Sequence, residues 1–492
     1  MQLPLTLGAV ITTLMNTWRL PRLLAGLLGL FTAVPLTAAA PARPHLLFIL
    51  ADDLGYGDVG VFNPQSKIRT PHLDRLAAGG MRFTDAHAGG SVCVPSRYAL
   101  LTGRFAVRAA LDLRGGPAIE EGRMTIATLL REHGYATAMV GKWHQGFVTA
   151  DHAKGSFDYT QPLRGGPLDR GFDSFFGMHA SLDIPPYFFI RGRTPLLPPT
   201  DLIAASTSAG QADGWSNIQG AFWRAGLVAP DFKHAAVTPR FAAEALEVIR
   251  RYAAGKQEKP LFLYLALPSP HTPWLPLEEF RGQSGAGLYG DFVMQVDALV
   301  GQVLDALDTT GLTRNTLVMF SSDNGPVWDD KDTLKFGHRA AGNLRGKKAT
   351  SWEGGHRMPF IARWPGQIAP GTVSTQTIVF SDVFATLGEL VGRRQVPLGM
   401  AEDSVSFLPY LLDSAKPPAP RAPIVHDLWT LRDGDWKLIL PRARGAKAGK
   451  GASAGPELFN LRTDPAEQHN LFSEQAERAA RMQAQLKAIL AK

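Results

Sequence analysis

Four polar clusters in this sequence each follow a short apolar run. Asp52-Asp53 close His45-Leu-Leu-Phe-Ile-Leu50, and Lys142 with His144 follow Tyr135-Ala-Thr-Ala-Met-Val140. His271 follows Leu261-Phe-Leu-Tyr-Leu-Ala-Leu267, and Asp323-Asn324 follow Thr316-Leu-Val-Met-Phe320. The carboxylates and the carboxamide offer only oxygen, which suits a hard ion such as calcium or magnesium over zinc. Histidine takes or gives a proton near neutral pH, and lysine holds an anion as a compact charge. A fifth stretch, Ser91-Val-Cys-Val-Pro-Ser-Arg-Tyr-Ala-Leu-Leu-Thr-Gly-Arg104, contains the only cysteine, Cys93. A lone thiol forms no internal disulfide and no zinc site by itself. Pro95 suits a first helical turn, so Cys93 and Arg97 fall near an electropositive N-terminus that favours anions. From the residues alone, a buried structural thiol and a chemical role both stay open for Cys93. Any one polar cluster reads equally as a surface turn; four of them at the ends of apolar runs point to a site.

The elements that must position these residues follow from the same pattern. The apolar runs have strand length and are continuous, as in buried parallel strands. Helical patterns at 70–80, 125–132, 239–254 and 291–306 alternate with them; Thr70 supplies an N-cap and Pro71 a first helical residue. This alternation predicts an α/β fold with a large, mainly parallel sheet sandwiched by helices. In such a sheet all four polar ends lie along the carboxyl edge, where ligands gather. Residues 150–235, rich in Pro, Gly and aromatics, read as long loops that wall a pocket. Further on come a helix near 382–391, a Pro/Ala-rich stretch at 416–423, a hairpin turn at Arg432-Asp-Gly-Asp435, a strand at 457–461 and a helix at 474–490. They predict a smaller C-terminal antiparallel sheet-plus-helix subdomain at 376–492, after a catalytic domain at 41–375. Residues 441–455 read as a mobile loop.

A chain of 492 residues with 19% charged residues has the composition of a soluble globular enzyme. The net charge is +7, of which Arg19 and Arg22 supply two, and the remaining +5 is spread without a basic arm. That excess suits an anionic substrate and gives no support to nucleic-acid binding. Arg19 and Arg22 precede an apolar run at 23–34 and the small residues Ala38-Ala-Ala40, the pattern of a signal peptide over 1–40, with Met15 as an alternative start. The run is short for a spanning helix and Pro35 follows it, so no stable membrane span is expected. The protein is expected to be exported, periplasmic or secreted, and stabilised by its core without disulfides.

Cys93-Val-Pro-Ser-Arg97 with Leu101-Thr-Gly-Arg104 resembles the signature of the sulfatase family, part of the alkaline phosphatase superfamily. Gly141-Lys-Trp-His144, Pro270-His-Thr-Pro273, Arg345-Gly-Lys-Lys-Ala-Thr-Ser-Trp-Glu-Gly-Gly355 and Leu458-Phe-Asn-Leu461 with Asp464-Pro465 and Glu467 extend the resemblance over nearly the whole chain. It implies that a formylglycine-generating maturation enzyme oxidises Cys93 to formylglycine. It also implies one calcium ion held by Asp52, Asp53, Asp323, Asn324 and the oxidised side chain at position 93. By resemblance, the hydrated aldehyde attacks sulfur while Arg97, Lys142 and Lys348 hold the sulfuryl oxygens. His271, with Lys348, protonates the departing oxygen, and His144 takes the proton that lets sulfate leave. Counting back from Glu353 selects Lys348, with Lys347 as the alternative. Ser181, after Phe176-Gly177, matches a serine that helps hold sulfate. Gln145 departs from the family, which usually has leucine there.

The implied reaction is hydrolysis of an organic sulfate monoester, aryl or carbohydrate, with the leaving group among residues 150–235 and near His338-Arg339. Trp352-Glu-Gly-Gly-His-Arg-Met-Pro-Phe360 resembles exported bacterial relatives that act on sulfated sugars, which favours a small sulfated sugar as substrate. Two other readings remain: a phosphonate or phosphate ester hydrolase of the same superfamily, and a catalytically dead protein that binds sulfated glycans. The complete set from Asp52 to Lys348 counts against the second, since binding alone needs neither base nor nucleophile.

Overall fold

The fold is built on strands that are apolar on both faces. In the computed structural model, which describes residues 43–109, 111, 116–151, 156–208, 213–255, 258–393, 399–441 and 455–491, the strands Leu261–Pro270 and Thr316–Ser322 are buried at every residue. His45–Asp52 is buried from Leu46 onward. These three are the middle of a ten-stranded sheet, with Leu47 opposite Leu263 on one side and Val318 on the other. Ala136–Lys142 and Ser174–Met178 continue it in the same direction, so the five central strands are parallel, as the alternation of strands and helices predicts. The expected leader at 1–40 lies outside the described residues, as do positions 442–454 of the expected mobile loop.

Helices Pro71–Ala78, Val237–Ala254 and Gly287–Thr309 pack together against the sheet, and Cys93–Thr102, Ile126–Glu132 and Asp382–Leu390 form a second group. Thr125 caps its helix as its type predicts, accepting from the Thr128 amide. Thr70 does not: its hydroxyl oxygen accepts instead from Gly60 N at 2.9 Å. The free amides of that helix start are taken by the Asp297 carboxylate, 2.8 Å from Leu73 N and 3.1 Å from His72 N. A cap from a packed neighbouring helix is invisible to local sequence. Burial pushes the Asp297 carboxyl up to about 7.

Antiparallel pairs enter toward the margins of the sheet, although the edge strand Thr372–Ser374 runs parallel to Met81–Phe83. Phe360–Arg363 runs against both Thr316–Ser322 and Met81–Phe83, and at the far side Ile190–Arg191 and Thr194–Pro195 form a small hairpin. Residues 150–235 are therefore not loops throughout, since Ser174–Met178 extends the central sheet. Strands of two to five residues carry too few positions for a readable alternation. Beyond Ala422 a four-stranded antiparallel sheet forms from Ile424–Asp427, Thr430–Asp433, Trp436–Ile439 and Glu457–Asn460. Helix Ala476–Leu490 covers it, with Ala479, Met482 and Leu486 packed among Val425, Leu431, Leu438 and Leu458.

Candidate active site

Because the central strands are parallel, their carboxyl ends meet along one edge. His45–Asp52 ends there with an irregularity in register between Leu50 and Asp52, and Asp53 takes a left-handed φ of 65°. Thr316–Ser322 delivers Asp323 and Asn324 on one side, Leu261–Pro270 delivers His271 on the other, and Ala136–Lys142 lies beyond it. Gly141 fits its backbone against that neighbour: a Cβ there would lie 1.9 Å from the Ala266 carbonyl oxygen. Helix Cys93–Thr102 begins at this same edge, and its residues from Ser96 to Thr102 are buried.

Arg97 ties the strand ends together. Its Nε donates to Asp323 Oδ2 at 2.9 Å, its Nη2 to Asp52 Oδ2 at 3.2 Å and its Nη1 to the Lys142 carbonyl at 3.1 Å. Lys142 Nζ pairs with Asp52. Lys348 Nζ lies 2.6 Å from Asp53 Oδ1 and 3.6 Å from Cys93 Sγ, and that sulfur lies 3.4 Å from Asp52 Oδ1. His271 Nε2 is 3.6 Å from Asp53 Oδ2. The alternative lysine, Lys347, turns away to pair with Asp329.

Burial and charge set the protonation states. Burial alone would raise Asp52, but Lys142, His271, Arg97 and Lys348 hold its carboxyl far below the usual range. Burial, with Asp323 and Asp52 beside it, pushes the Cys93 thiol well up, so an unmodified thiol stays protonated and a poor nucleophile. Burial would lower Lys348, yet Asp53 and the neighbouring carboxylates raise it and keep it an ammonium. His144, at φ 52°, is driven well below the usual imidazole range by burial, Lys142 and Arg97. It is therefore neutral and able to accept a proton, and its buried Nδ1 has no partner.

The residues also fit a hard cation. Asp53 Oδ2 and Asn324 Oδ1 are buried acceptor oxygens without a donor, an arrangement that costs about 1–3 kcal/mol per atom unless something fills it. Ligand atoms of Asp52, Asp53, Cys93 and His271 lie within 4.8 Å of one another. With Asn324 Oδ1 the set offers three oxygens beside one sulfur and one imidazole nitrogen, and oxygen is the donor that calcium or magnesium takes. Asp52, Asp53 and Asp323 balance Arg97, Lys142 and Lys348, so a divalent ion would leave the cage positive and receptive to an anion.

A model of the sulfatase family matches residues 44–393. The chain belongs to the sulfatase family. An N-acetylgalactosamine-6-O-sulfatase of Bacteroides thetaiotaomicron is 32% identical over 479 residues, covering 88% of this chain and 91% of that protein. Human arylsulfatase A is 34% identical, covering 90% and 86%. A solved sulfatase structure concerned with glycosaminoglycan metabolism by Bacteroides thetaiotaomicron superposes with a TM-score of 0.79 at 29% identity, over 92% of this chain and all of that one. The protein is a sulfuric ester hydrolase, and no helix among its described residues is long and apolar enough to cross a membrane.

Around the cage of this sulfatase lie groups that sequence reasoning missed. The Tyr289 hydroxyl donates to Asp58 Oδ2 at 2.5 Å and lies 3.1 Å from the Asp53 carbonyl oxygen, and Leu54 N donates to Ser322 Oγ at 2.9 Å. These bonds fix the turn that presents Asp52 and Asp53. Asp58, five residues beyond the pair, was a visible carboxylate, but only the fold reveals its burial. His338, expected near the leaving group, is fully buried with Nε2 2.7 Å from Asp58 Oδ1, so it braces the same turn and faces no ligand. Arg339 beside it is exposed. Gln145 uses its Nε2 to donate to the carbonyls of Val94, at 3.0 Å, and His144, at 2.9 Å, which joins the start of the Cys93 helix to the His144 turn. Ser181 follows the Ser174–Met178 strand with its hydroxyl buried and unpartnered. A cleft of about 670 Å³ opens beside Lys348, lined by Asn217, Ile218, Asp329, Lys347 and their neighbours.

Proposed function

We propose that this sulfatase hydrolyses a carbohydrate sulfate monoester, using formylglycine formed from Cys93 and a calcium ion held by Asp52, Asp53, Asp323 and Asn324. The observation that carries this reading is the cage itself, in which a buried, protonated thiol sits 3.6 Å from the Lys348 ammonium and 3.4 Å from Asp52. A thiol in that setting has no use as a thiol, whereas its oxidised and hydrated form supplies an oxygen nucleophile with a second hydroxyl beside it. Calcium supplies a fixed double positive charge for the sulfuryl oxygens.

The protein's own residues then divide the work. Lys142, Lys348 and Arg97 offset the three carboxylates of the cage; Arg97, forked between Asp52 and Asp323, chiefly positions them. Ser181 offers a hydroxyl to the anion. His271, whose Nδ1 lies 2.7 Å from the Thr272 carbonyl, keeps Nε2 toward the site and protonates the leaving alcohol. Neutral His144 accepts the proton whose loss releases sulfate. The name of the Bacteroides relative supports an amino-sugar 6-sulfate as the type of substrate. The pattern at 1–40 supports export to the periplasm or beyond, and position 93 requires a formylglycine-generating maturation enzyme.

Peptide mass spectrometry across 83–97 tests the central claim. Formylglycine at position 93 in active protein is the expected result, and an intact thiol in fully active protein sinks the mechanism. Cys93→Ala is expected to abolish turnover with the fold retained. Matched nitrophenyl sulfate and phosphonate esters test the rival reading, which a hundredfold preference for the phosphonate would establish.

A further inference from the structure

The loop after the Ser174–Met178 strand carries a carboxylate that the chemistry above does not use. Asp183 is only 6% exposed. One of its oxygens, Oδ2, pairs with Arg224, whose Nη1 also donates to the Asp183 carbonyl at 3.1 Å. The other, Oδ1, is buried without a donor and lies 3.9 Å from His271 Nδ1. That distance is too long for a hydrogen bond, and His271 Nδ1 already has the Thr272 carbonyl at 2.7 Å. Asp183 therefore does not hold the imidazole. Arg224 is 51% exposed at its side chain and rests near the Phe222 ring.

We infer that Asp183 and Arg224 form a hydroxyl-recognition pair for the leaving sugar. This rests on the proposed reading, in which His271 stands at the departing oxygen. Asp183 Oδ1 lies 3.9 Å from His271 Nδ1, on the side of the imidazole away from the departing oxygen, so the hydroxyl it would meet is one on a carbon beside the sulfated position and not the leaving oxygen itself. A substrate hydroxyl would supply the donor that Oδ1 lacks, and Arg224 would donate to a second sugar oxygen. Carboxylate and guanidinium side by side suit a polyol, which offers donors and acceptors on adjacent carbons, whereas an unsubstituted aryl ring has no hydroxyl to meet the carboxylate. A hydrogen bond to a charged group is worth roughly 10- to 100-fold in affinity for the transition state.

The test compares kcat/KM for a panel of hexose and N-acetylhexosamine sulfates, and their deoxy analogues, with that for 4-nitrophenyl sulfate. In Asp183→Asn and in Arg224→Gln, the ratio of sugar-sulfate to aryl-sulfate kcat/KM is expected to fall roughly 10- to 100-fold. Deleting the neighbouring hydroxyl from the substrate should cost the wild type a similar factor and the Asp183 variant little more. An equal loss on both substrate types would mean that Asp183 acts on His271 or on the fold, and overturns the pair's recognition role. So would an unchanged ratio, or a wild type that cleaves the aryl sulfate and no sugar sulfate. A wild type carrying formylglycine that cleaves neither overturns the sulfatase mechanism as well. Arg224→Gln, at a half-exposed position, guards against a variant that merely misfolds.

Discussion

Two buried charge clusters of this sulfatase look alike by composition and differ in kind. At the sheet edge, Asp52, Asp53 and Asp323 face Arg97, Lys142 and Lys348. At the seam between the main sheet and the C-terminal sheet, Asp85, Glu353 and Glu467 face Arg357, Arg432 and Lys437, around His87, His356 and His426. In the seam each carboxylate meets cations: Arg432 and Arg357 at 2.6 and 2.9 Å from Asp85, Arg357 at 2.7 Å from Glu353, and Lys437 at 2.9 Å from both Glu353 and Glu467. The edge cluster instead leaves Asp53 Oδ2, Asn324 Oδ1, His144 Nδ1 and Ser181 Oγ without partners and bends Asp53 and His144 into left-handed backbone. The seam has its own exceptions, since both ring nitrogens of His426 are unpartnered and Glu467 takes a φ of 54°. What separates the clusters is the open acceptor oxygens of Asp53 and Asn324: they mark a site built for something that arrives, while carboxylates closed by cations mark a fastening. The three seam histidines lie close enough to suggest a metal. However, His356 and His426 stack at 3.8 Å with planes 23° apart, so their in-plane lone pairs cannot converge on one ion.

This contrast predicts that damage to the two clusters will separate activity from stability. His144→Ala should lower kcat by about 10²–10⁴-fold with the melting temperature nearly unchanged, measured with 4-nitrophenyl sulfate and calorimetry. Lys437→Ala leaves two carboxylates buried together and should cost about 3–5 kcal/mol in denaturant unfolding. A Lys437 variant that melts normally would erase the distinction. Ion removal sharpens it further. Calcium added to chelator-treated protein at a hundred times its Kd should stabilise the fold by about 2.7 kcal/mol, and Asp323→Ala should remove that response while a seam variant keeps it.

Much of the edge cluster was legible in the sequence because each member ends a long, continuous apolar strand. Asp52, Lys142, His271 and Asp323 needed only the rule that parallel strands end together. Lys348 was legible through its motif alone, since it lies on a long connection between Thr316–Ser322 and Phe360–Arg363 with no periodicity to place it. Asp183 and Arg224 carried no signal, because their pairing joins two loops that only the fold brings together. The seam was illegible for the same reason: His87, His356 and His426 are far apart in sequence and lie on elements of two to four residues. The antiparallel pairs toward the margins were hidden by equally short strands.

The smallest expected effect is on pH dependence, where the seam can be isolated. Burial, reinforced by neighbouring cations and by the histidines themselves, lowers His356 and His426 well below their usual 6.5, and burial lowers His87 as well. All three are neutral in the folded chain, whereas the unfolded chain binds protons below 6.5. Their contribution is therefore intact above 6.5 and is lost as pH falls toward the depressed folded values. Each such proton costs about 1.4 kcal/mol per pH unit. Glu467 works in the opposite sense. Burial beside Glu353 raises it to about 7 from 4.5, so its contribution is present below 4.5 and lost as pH rises through 7. Between 4.5 and 6.5 it offsets one of the three histidine protons. Replacing His426 with Phe should flatten the stability slope in that window by about 1.4 kcal/mol per pH unit, read from guanidinium unfolding at a series of pH values. Its kcat at pH 7 should stay at the wild-type level, because His426 fastens the seam and touches no part of the cage. An unaltered slope would mean that His426 takes up its proton in the folded protein, and that burial among the seam cations does not hold it neutral.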